Sequence, residues 1–529
     1  MALRCTECGA LTIPEGPELD LSVTTDLGTL ARHLTLMNTN DPPQDSERLY
    51  VREVVSKADA RLACVEDEIS RLEDRLKVLL REHALLSEYR TKNVGILSPL
   101  RRMPPEILGQ IFSWALPTDE QAKSPAYRPN PKDSPWVLTW ISSRWRAIAV
   151  STHSLWSLVH VDAAGSLHSL SMIQTQVQRA RGLKIHFYGR QERNAAPQIQ
   201  LFRFLSEHSN RWEALCLRLT SALVPRLDSL RGQLPALRRL WLEWDTPESQ
   251  NRIDWIECFG VAPCLVDVGV HSGNHFIPVS LPARPNHITR YDLDADWPTH
   301  RRLLAQLPNL VEARLQASLG APWPDHTNHK TSLPHLRRLY ASQTQVLNYL
   351  KAPALEEMAV HVHDVPPGYC KQSISAFIRR SSCSLRRLCL EGPPLDPESL
   401  TFVLSNNSSV VELINITADA KDLFVILTHA ENPFFPVAPH LSAIHFDLTS
   451  GSIDYDLYLN ILESRCRAPH YSLKSATLLV PLDQGPSPAV LSKLDSLRSR
   501  RGLEVKVLSG VKARIERDTW LYKACWTST

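Results

Sequence analysis

Leu234-Pro235-Ala236-Leu237-Arg238-Arg239-Leu240-Trp241-Leu242 is the stretch on which the reading of the fold turns. A leucine, a proline and a small residue lead to a second leucine. Two residues later an apolar-x-apolar piece begins. The pattern returns as Leu307-Pro308-Asn309-Leu310, as Leu333-Pro334-His335-Leu336-Arg337-Arg338-Leu339, as Ala352-Pro353-Ala354-Leu355 and as Ser384-Leu385-Arg386-Arg387-Leu388-Cys389-Leu390. Weaker copies centre on Leu215, Leu265, Tyr291, Leu413, Ile444 and Leu478. The first apolar position of each copy falls at 212, 237, 265, 288, 310, 336, 355, 385, 410, 441 and 473, a mean step of about 26 residues.

Each short Leu-x-Leu piece fits a strand whose side chains alternate between two faces. One copy cannot bury its own apolar face, but a stack of copies can. The spacing resembles leucine-rich repeats, although the steps are irregular and most copies lack the asparagine of that family. The resemblance implies an irregular α/β solenoid over residues 161–529. Pro197–Glu207, Ser399–Ser405 and Leu423–Thr428 are then expected as helices on its outer side. Segments 182–187 and 502–507 are expected as its first and last strands. The competing reading is an ordinary α/β domain rich in short strands. Thirty-eight prolines against 19 glycines suit many short elements with stiff connections in either case.

Upstream, residues 95–160 read as a helical unit. Leu97-Ser98-Pro99-Leu100 leads into Met103-Pro104-Pro105-Glu106. Proline suits a first helical turn because its missing N–H has no partner there, and Glu106 complements the positive end of the helix dipole. Ile107, Leu108, Ile111, Phe112 and Ala115 form one apolar stripe at helical spacing, which Pro117 ends. After a proline-rich stretch, Ser134-Pro135 reads as an N-cap and first helical residue. The second helix presents Val137, Leu138, Ile141, Trp145, Ile148 and Ala149, and Leu155-Trp156 closes the unit.

The two halves together resemble an F-box. Leu100-x-x-Met103-Pro104-Pro105-Glu106-Ile107-Leu108-x-x-Ile111-Phe112 is similar to its opening, and Ile141-Ser142-Ser143-Arg144-Trp145-Arg146-Ala147-Ile148-Ala149 to its second half. Met103 stands where leucine is usual and Ser142 where cysteine is usual, and the insert from Pro117 to Pro135 is long for the family. With the heptad helix described next, the pattern resembles F-box proteins abundant in mushroom-forming fungi. What the resemblance implies is a non-enzymatic substrate-recognition subunit of an SCF-type cullin–RING ubiquitin ligase. Helices 104–116 and 136–150 would dock on the Skp adaptor, and the repeat region would hold a target protein. Leu100, Pro104, Ile107, Leu108, Ile111, Ile141 and Trp145 match the adaptor-binding motif, and some of them must form the unit's own core. The other reading is a coiled-coil and solenoid interaction scaffold with no ligase attached.

Residues 47–94 carry no proline and read as one helix. Apolar residues fall at Val51, Val55, Ala58, Leu62, Val65, Ile69, Leu72, Leu76, Leu79 and Leu86, with His83 completing the series. Gaps alternating between four and three make a heptad seam. Glu53/Lys57, Asp67/Arg71 and Glu73/Lys77 are spaced for i,i+4 pairing with the acid first. In a parallel dimer Arg61 would attract Glu66, while Glu68 would repel Glu73. Two arrangements fit: a homodimer through 47–90, or a long helix folded against its own chain. Residues 1–46 contain four prolines and one apolar stretch, Leu27–Met37, and read as weakly ordered.

The chain has 529 residues and is 43% hydrophobic, enough for two or more cored units. Net charge is +3 from 59 basic and 56 acidic residues mixed along the chain, so no concentrated basic face points to nucleic acid. No apolar run matches the roughly 18–20 residues of a membrane span, and no basic-then-apolar leader opens the sequence. Eleven scattered cysteines suit reduced thiols in cytosol or nucleus. Cys5-x-x-Cys8 is half a zinc site with no second pair near it. His361-x-His363 with Asp364, and His271 with His275, are the pairings chance gives among 20 histidines. With no Walker loop, dinucleotide glycine pattern, nucleophile elbow or zincin motif, no cofactor or metal is expected. Trp241, Trp244 and Trp255 read as packing or as an aromatic anchor. Alternation would put one arginine of Arg238-Arg239 and of Arg337-Arg338 on the concave face, a weak hint of an acidic partner.

Overall fold

The computed structural model describes residues 3–4, 11–12, 27–117, 135–163, 170–251, 253–273, 276–282, 287–317, 323, 330–362, 368–428, 437–467 and 473–523. The chain divides into two compact units, residues 1–103 and 104–529.

The first unit holds α1 (Leu27–Asn38) and α2 (Asp45–Ile96). The apolar stretch within the expected weakly ordered segment is therefore a helix. It folds back on the start of α2: Arg32 Nε donates to Glu47 Oε1 at 3.3 Å, and the His33 ring meets Tyr50 edge-on at 5.3 Å. Glu47 also accepts the Gln44 backbone N–H at 2.7 Å, satisfying a donor that the helix leaves unpaired. Of the expected charge pairs, Glu53–Lys57 forms at 2.9 Å. Arg71 turns instead to Glu68 at 2.7 Å and Lys77 to Asp74 at 3.0 Å, both one residue closer along the helix. No residue of α2 is buried, and Leu62, Val65, Ile69, Leu72, Leu76, Leu79 and Leu86 all stand exposed.

The second unit is mixed α/β. It opens with α3 (Pro105–Ala115), α4 (Pro135–Ile141), α5 (Ser143–Ser151) and a 3-10 turn at His153–Trp156. One 14-stranded sheet follows. Its strands are β1 (Leu158–Asp162), β2 (Leu183–Tyr188), β3 (Trp212–Leu219), β4 (Arg239–Trp244), β5 (Asp267–His271), β6 (Arg290–Ala295) and β7 (Glu312–Ala317). It continues with β8 (Arg338–Ala341), β9 (Glu357–His361), β10 (Arg387–Glu391), β11 (Glu412–Ile416), β12 (Ala443–Asp447), β13 (Ser475–Val480) and β14 (Glu504–Ser509). Every strand lies parallel to the next one in sequence, and the two ends of the sheet do not meet, so no barrel closes.

Parallel neighbours require crossovers. Helices supply many of them: α6 (Leu170–Arg179), α7 (Ala196–Ser206), α8 (Trp297–Leu304), α9 (Tyr369–Ser381), α10 (Pro397–Ser405), α11 (Lys421–Thr428), α12 (Tyr455–Arg467) and α13 (Pro488–Arg501). The repeated leucine pattern explains the strand starts. From the copy at 237 onward, each strand begins two residues after the copy's first apolar position: 237 leads to Arg239, 310 to Glu312, 385 to Arg387 and 473 to Ser475. Leu234-Pro235-Ala236-Leu237 is a turn in which the Leu237 N–H donates to the Leu234 carbonyl at 3.4 Å. Leu307/Leu310, Leu333/Leu336 and Ala352/Leu355 repeat it at 3.3 Å. Proline suits its second position because its φ is already set. Leu237, Leu240 and Leu242 then all point into the core.

Segment 182–187, expected to open the sheet, belongs to its second strand. β1 precedes it and is hidden in the sequence at the tail of the helical unit. Segment 502–507 falls in the last strand, as expected. On the helix side of the sheet, Phe187 meets Phe202 of α7 at 5.4 Å, and Phe446 of β12 meets Phe424 of α11 at 4.9 Å. Against the opposite side lies α14 (Gly510–Trp520). No helix among the described residues is long and apolar enough to cross a membrane.

Candidate functional site

The helical unit is built as its caps dictate, with one departure. Pro104 precedes α3, Pro105 opens it and Glu106 sits in its first turn. Helix 136–150, read as continuous from its apolar spacing, is broken in two at Ser142. That residue is extended, with φ −159° and ψ 164°, and its Oγ accepts the Trp145 N–H at 3.1 Å. A serine side chain competes for backbone donors inside a helix and serves best as a cap, so the break falls where the sequence offers one. Arg146 Nε spans the break to the Thr139 carbonyl at 2.8 Å.

The motif positions now separate. Leu108 is fully buried and packs in the unit's core with Phe112, Leu138, Ile148 and Ala149. Ile111 and Trp145 are half-buried, and the Trp145 ring lies 4.6 Å from Phe112. Pro104, Ile107 and Ile141 are exposed. Leu100 is exposed too, and belongs to the first compact unit. Trp114 and Trp140 add bulk that the motif did not include, at 80% and 61% exposure. Trp140 lies off the apolar stripe of its helix, whereas Trp114, seven residues after Ile107, continues the edge of the stripe on α3. Exposed tryptophans of this kind are enriched where proteins grip partners.

The unit is anchored to the sheet by aromatic and polar contacts. Trp156 is fully buried, and its Nε1 donates to the Ala149 carbonyl at 2.8 Å. The Arg179 guanidinium of α6 lies over Trp156 at 4.4 Å and over Trp136 at 4.9 Å. Gln176 Nε2 donates to the Leu158 carbonyl at 2.6 Å, and the Ser157 carbonyl accepts the Lys184 N–H at 2.8 Å. α5, the 3-10 turn, α6 and β1 thus share one junction.

The second surface is the side of the sheet opposite the crossover helices, which α14 partly covers. Its first row places one charge per strand: Arg239, Asp267, Arg290, Glu312, Arg338, Glu357, Arg387 and Glu412 sit in register. The signs alternate, and neighbours pair. Arg290 reaches Glu312 at 3.0 Å, Arg338 reaches Glu312 and Glu357 at 3.4 Å, and Arg387 reaches Glu357 at 3.3 Å and Glu412 at 3.1 Å. Arg338 is thus engaged by its own sheet, which removes it as a hint of an acidic partner.

The next rows are covered by the C-terminal segment. Trp520, Leu521 and Tyr522 share a core with Tyr340, Cys389, Ile414 and Leu479. Arg314 Nε donates to the Leu521 carbonyl at 3.2 Å, and Arg290 Nη2 to that of Tyr522 at 3.1 Å. Arg517 bridges Glu391 and Asp447, both at 3.4 Å. Burial alone would raise the Asp292 carboxyl, but Arg314 at 3.3 Å and His271 at 3.4 Å hold it well below the usual carboxylate range. Glu391, which burial also pushes up, is brought to about 2 by His361, with Lys523 and Tyr340 adding to it.

These pairings also account for other sequence candidates. His271 accompanies Asp292 and Gln316, and His361 lies 3.4 Å from Glu391. Cys5, Cys8, His275, His363 and Asp364 lie outside the described residues. Among the described residues no cluster of His, Cys, Asp and Glu could hold a metal ion. Trp241 is buried and lies over Gly269, where any side chain would collide with its ring. Trp255 is half exposed, with Nε1 donating to Ser280 Oγ at 2.8 Å.

A scan against protein-family models finds no match to the chain, and a search of curated proteins finds none either.

Proposed function

We propose that the chain is a non-enzymatic adaptor of the F-box type. In this reading the helical unit docks on the Skp adaptor of a cullin–RING ubiquitin ligase. The 14-stranded region acts as an irregular leucine-rich-repeat-like solenoid that holds a target protein. The observation that carries the reading is the helical unit itself. It exposes Ile107, Ile141, Trp114 and Trp140 while Leu108 and Phe112 close its core, and Trp156 and Arg179 fix it to the first strands. A ligase receptor needs both properties: an apolar surface for the adaptor, and a stiff junction that holds the target near a ubiquitin-charged partner at high effective concentration.

The test is co-purification of the Skp adaptor and cullin with the full chain. Ile107→Asp and Ile141→Asp each place a charge on the exposed surface and leave the core intact. Burying such a side chain at an interface is worth roughly 1.5–3 kcal/mol, so either change should cut adaptor recovery by tenfold or more. Leu108→Asp is no test of docking, because it puts a charge in the unit's core and unfolds it. Undiminished recovery with both exposed variants folded would refute the assignment.

A second reading has its own support in the heptad seam of α2, exposed from Leu62 to Leu86. The chain would then be an interaction scaffold without a ligase. Absence of adaptor and cullin from the purified complex, with other partners retained, would favour it.

A further inference from the structure

We propose that α2 pairs with α2 of a second copy in antiparallel orientation, in one register fixed by charge. The proposal is independent of the adaptor reading. Its starting point is that seven large apolar seam residues from Leu62 to Leu86 stand exposed, and none of them is buried by the described residues. α1 covers only the first turns of α2, through Arg32–Glu47 and His33–Tyr50.

The spacing places Val55, Leu62, Ile69, Leu76 and His83 at one core position of the heptad, and Ala58, Val65, Leu72, Leu79 and Leu86 at the other. The flanks on one side are then Arg61, Glu68, Arg75 and Glu82, and on the other Asp59, Glu66 and Glu73. All seven are exposed. In a parallel pair Arg61 meets Glu66 favourably, Glu68 meets Glu73 unfavourably, and His83 faces His83. Charge gives that arrangement no net preference.

An antiparallel pair brings like flanks together. With Ile69 opposite Leu72 of the second copy, Arg61 meets Glu82 and Glu68 meets Arg75, and symmetry makes each contact twice. The core layers become Val55–Leu86, Ala58–His83, Leu62–Leu79, Val65–Leu76 and Ile69–Leu72. The smallest seam residue thus lies against the histidine, and no two histidines meet. The other flank contributes one unfavourable contact, Glu66 with Glu73, also made twice. A shift of one heptad in either direction destroys the match. One shift sets Arg75 against Arg75 and Glu68 against Glu82; the other sets Glu68 against Glu68 and Arg61 against Arg75. Alternating signs on one flank therefore select both orientation and register. The two chains leave such a rod at opposite ends. Since α2 has 52 residues, about 1.5 Å each, the exits lie roughly 75 Å apart.

The test uses the full chain, with mass in solution measured at low salt, where flank charges act most strongly. The wild type is expected at twice its 59.7 kDa chain mass. Arg61→Glu with Arg75→Glu makes the flank wholly acidic, and Glu68→Arg with Glu82→Arg makes it wholly basic. Each variant alone should self-associate roughly 10- to 100-fold more weakly, and an equimolar mixture should restore the dimer. A parallel pair gives a different pattern, because the basic variant would set arginines against Glu66 and Glu73 and dimerise by itself. A disulfide trap checks orientation separately. Val55→Cys with Leu86→Cys should yield a 55–86 linkage between chains by peptide mapping, whereas Leu86→Cys alone should yield no 86–86 linkage. A monomeric wild type, a self-associating basic variant, association unchanged by either charge set, or an 86–86 linkage would each overturn the proposal.

Discussion

Single residues decide where the helical unit bends and how the second unit responds to acid. Ser142 stops one helix and caps the next through one hydrogen bond to the Trp145 N–H. Ser142→Ala should lower stability by about 1 kcal/mol in denaturant unfolding, the usual worth of an N-cap side chain. Ser142→Asn should retain most of it. His300 is buried, and burial pushes its imidazole down to about 4. Its neutral form is fully used: the Tyr291 hydroxyl donates to Nδ1 at 2.8 Å, and Nε2–H donates to the Gln316 carbonyl at 3.2 Å. His445 is likewise pushed to about 4 by burial, then by Arg387 and Lys506. In the unfolded chain both titrate near 6.5. Between about pH 6.5 and 4 the unfolded state binds protons that the folded state refuses, so stability should fall as pH drops through that window. Thermal unfolding from pH 7.5 to 4.5 checks this, and His300→Gln should flatten part of the slope. A melting temperature constant across that range would contradict it.

At the scale of elements, the charge ladder and the junction carry the argument. Arg387 is mostly buried between Glu357 and Glu412, with Tyr522 at 5.3 Å from its guanidinium. Arg387→Glu would put three acids side by side and should cost roughly 3–5 kcal/mol, well beyond the ~1 kcal/mol of an exposed pair. Arg387→Lys keeps the charge but loses the fork that spans both neighbours, and should cost less. At the junction, Trp156→Ala removes a fully buried indole and the platform under Arg179. A loss of about 3–5 kcal/mol is expected. Hydrogen exchange should show α3, α4 and α5 opening while β8–β12 remain protected. Much of this level was legible in the sequence. The leucine copies mark strand starts because each copy combines a turn with buried positions at fixed distance, and the proline start of α3 rests on local chemistry; Ser134, the expected cap of the next helix, lies outside the described residues. The break at Ser142 was not legible, since apolar spacing runs through it. Nor was the ladder: Arg239 and Asp267 are far apart in sequence, and only the sheet register makes them neighbours.

Across the whole second unit, the C-terminal segment ties distant strands together. It meets Arg290 on β6 and Arg314 on β7, shares a core with residues of β8–β11 and β13, and reaches Asp447 on β12 through Arg517. A chain ending at Ser509 would uncover Tyr340, Cys389, Ile414 and Leu479 beside the carboxylates of Glu391 and Asp447. Such a truncation should melt at lower temperature and bind a hydrophobic dye that the full chain excludes. Nothing local announces this contact in the sequence, because Trp520 and Tyr522 look like any aromatic pair near a terminus. The sorting of the motif positions from Pro104 to Trp145 also belongs to this scale, since burial depends on how α3, α4 and α5 pack on one another and on the 3-10 turn. That sorting leads to the most direct test of the adaptor reading: a calorimetric titration of purified Skp adaptor into the full chain and into Ile107→Asp plus Ile141→Asp. The account predicts a saturable binding curve for the wild type and its loss in the double variant, with both proteins melting at the same temperature. Equal binding by the two, or none by the wild type, would contradict it.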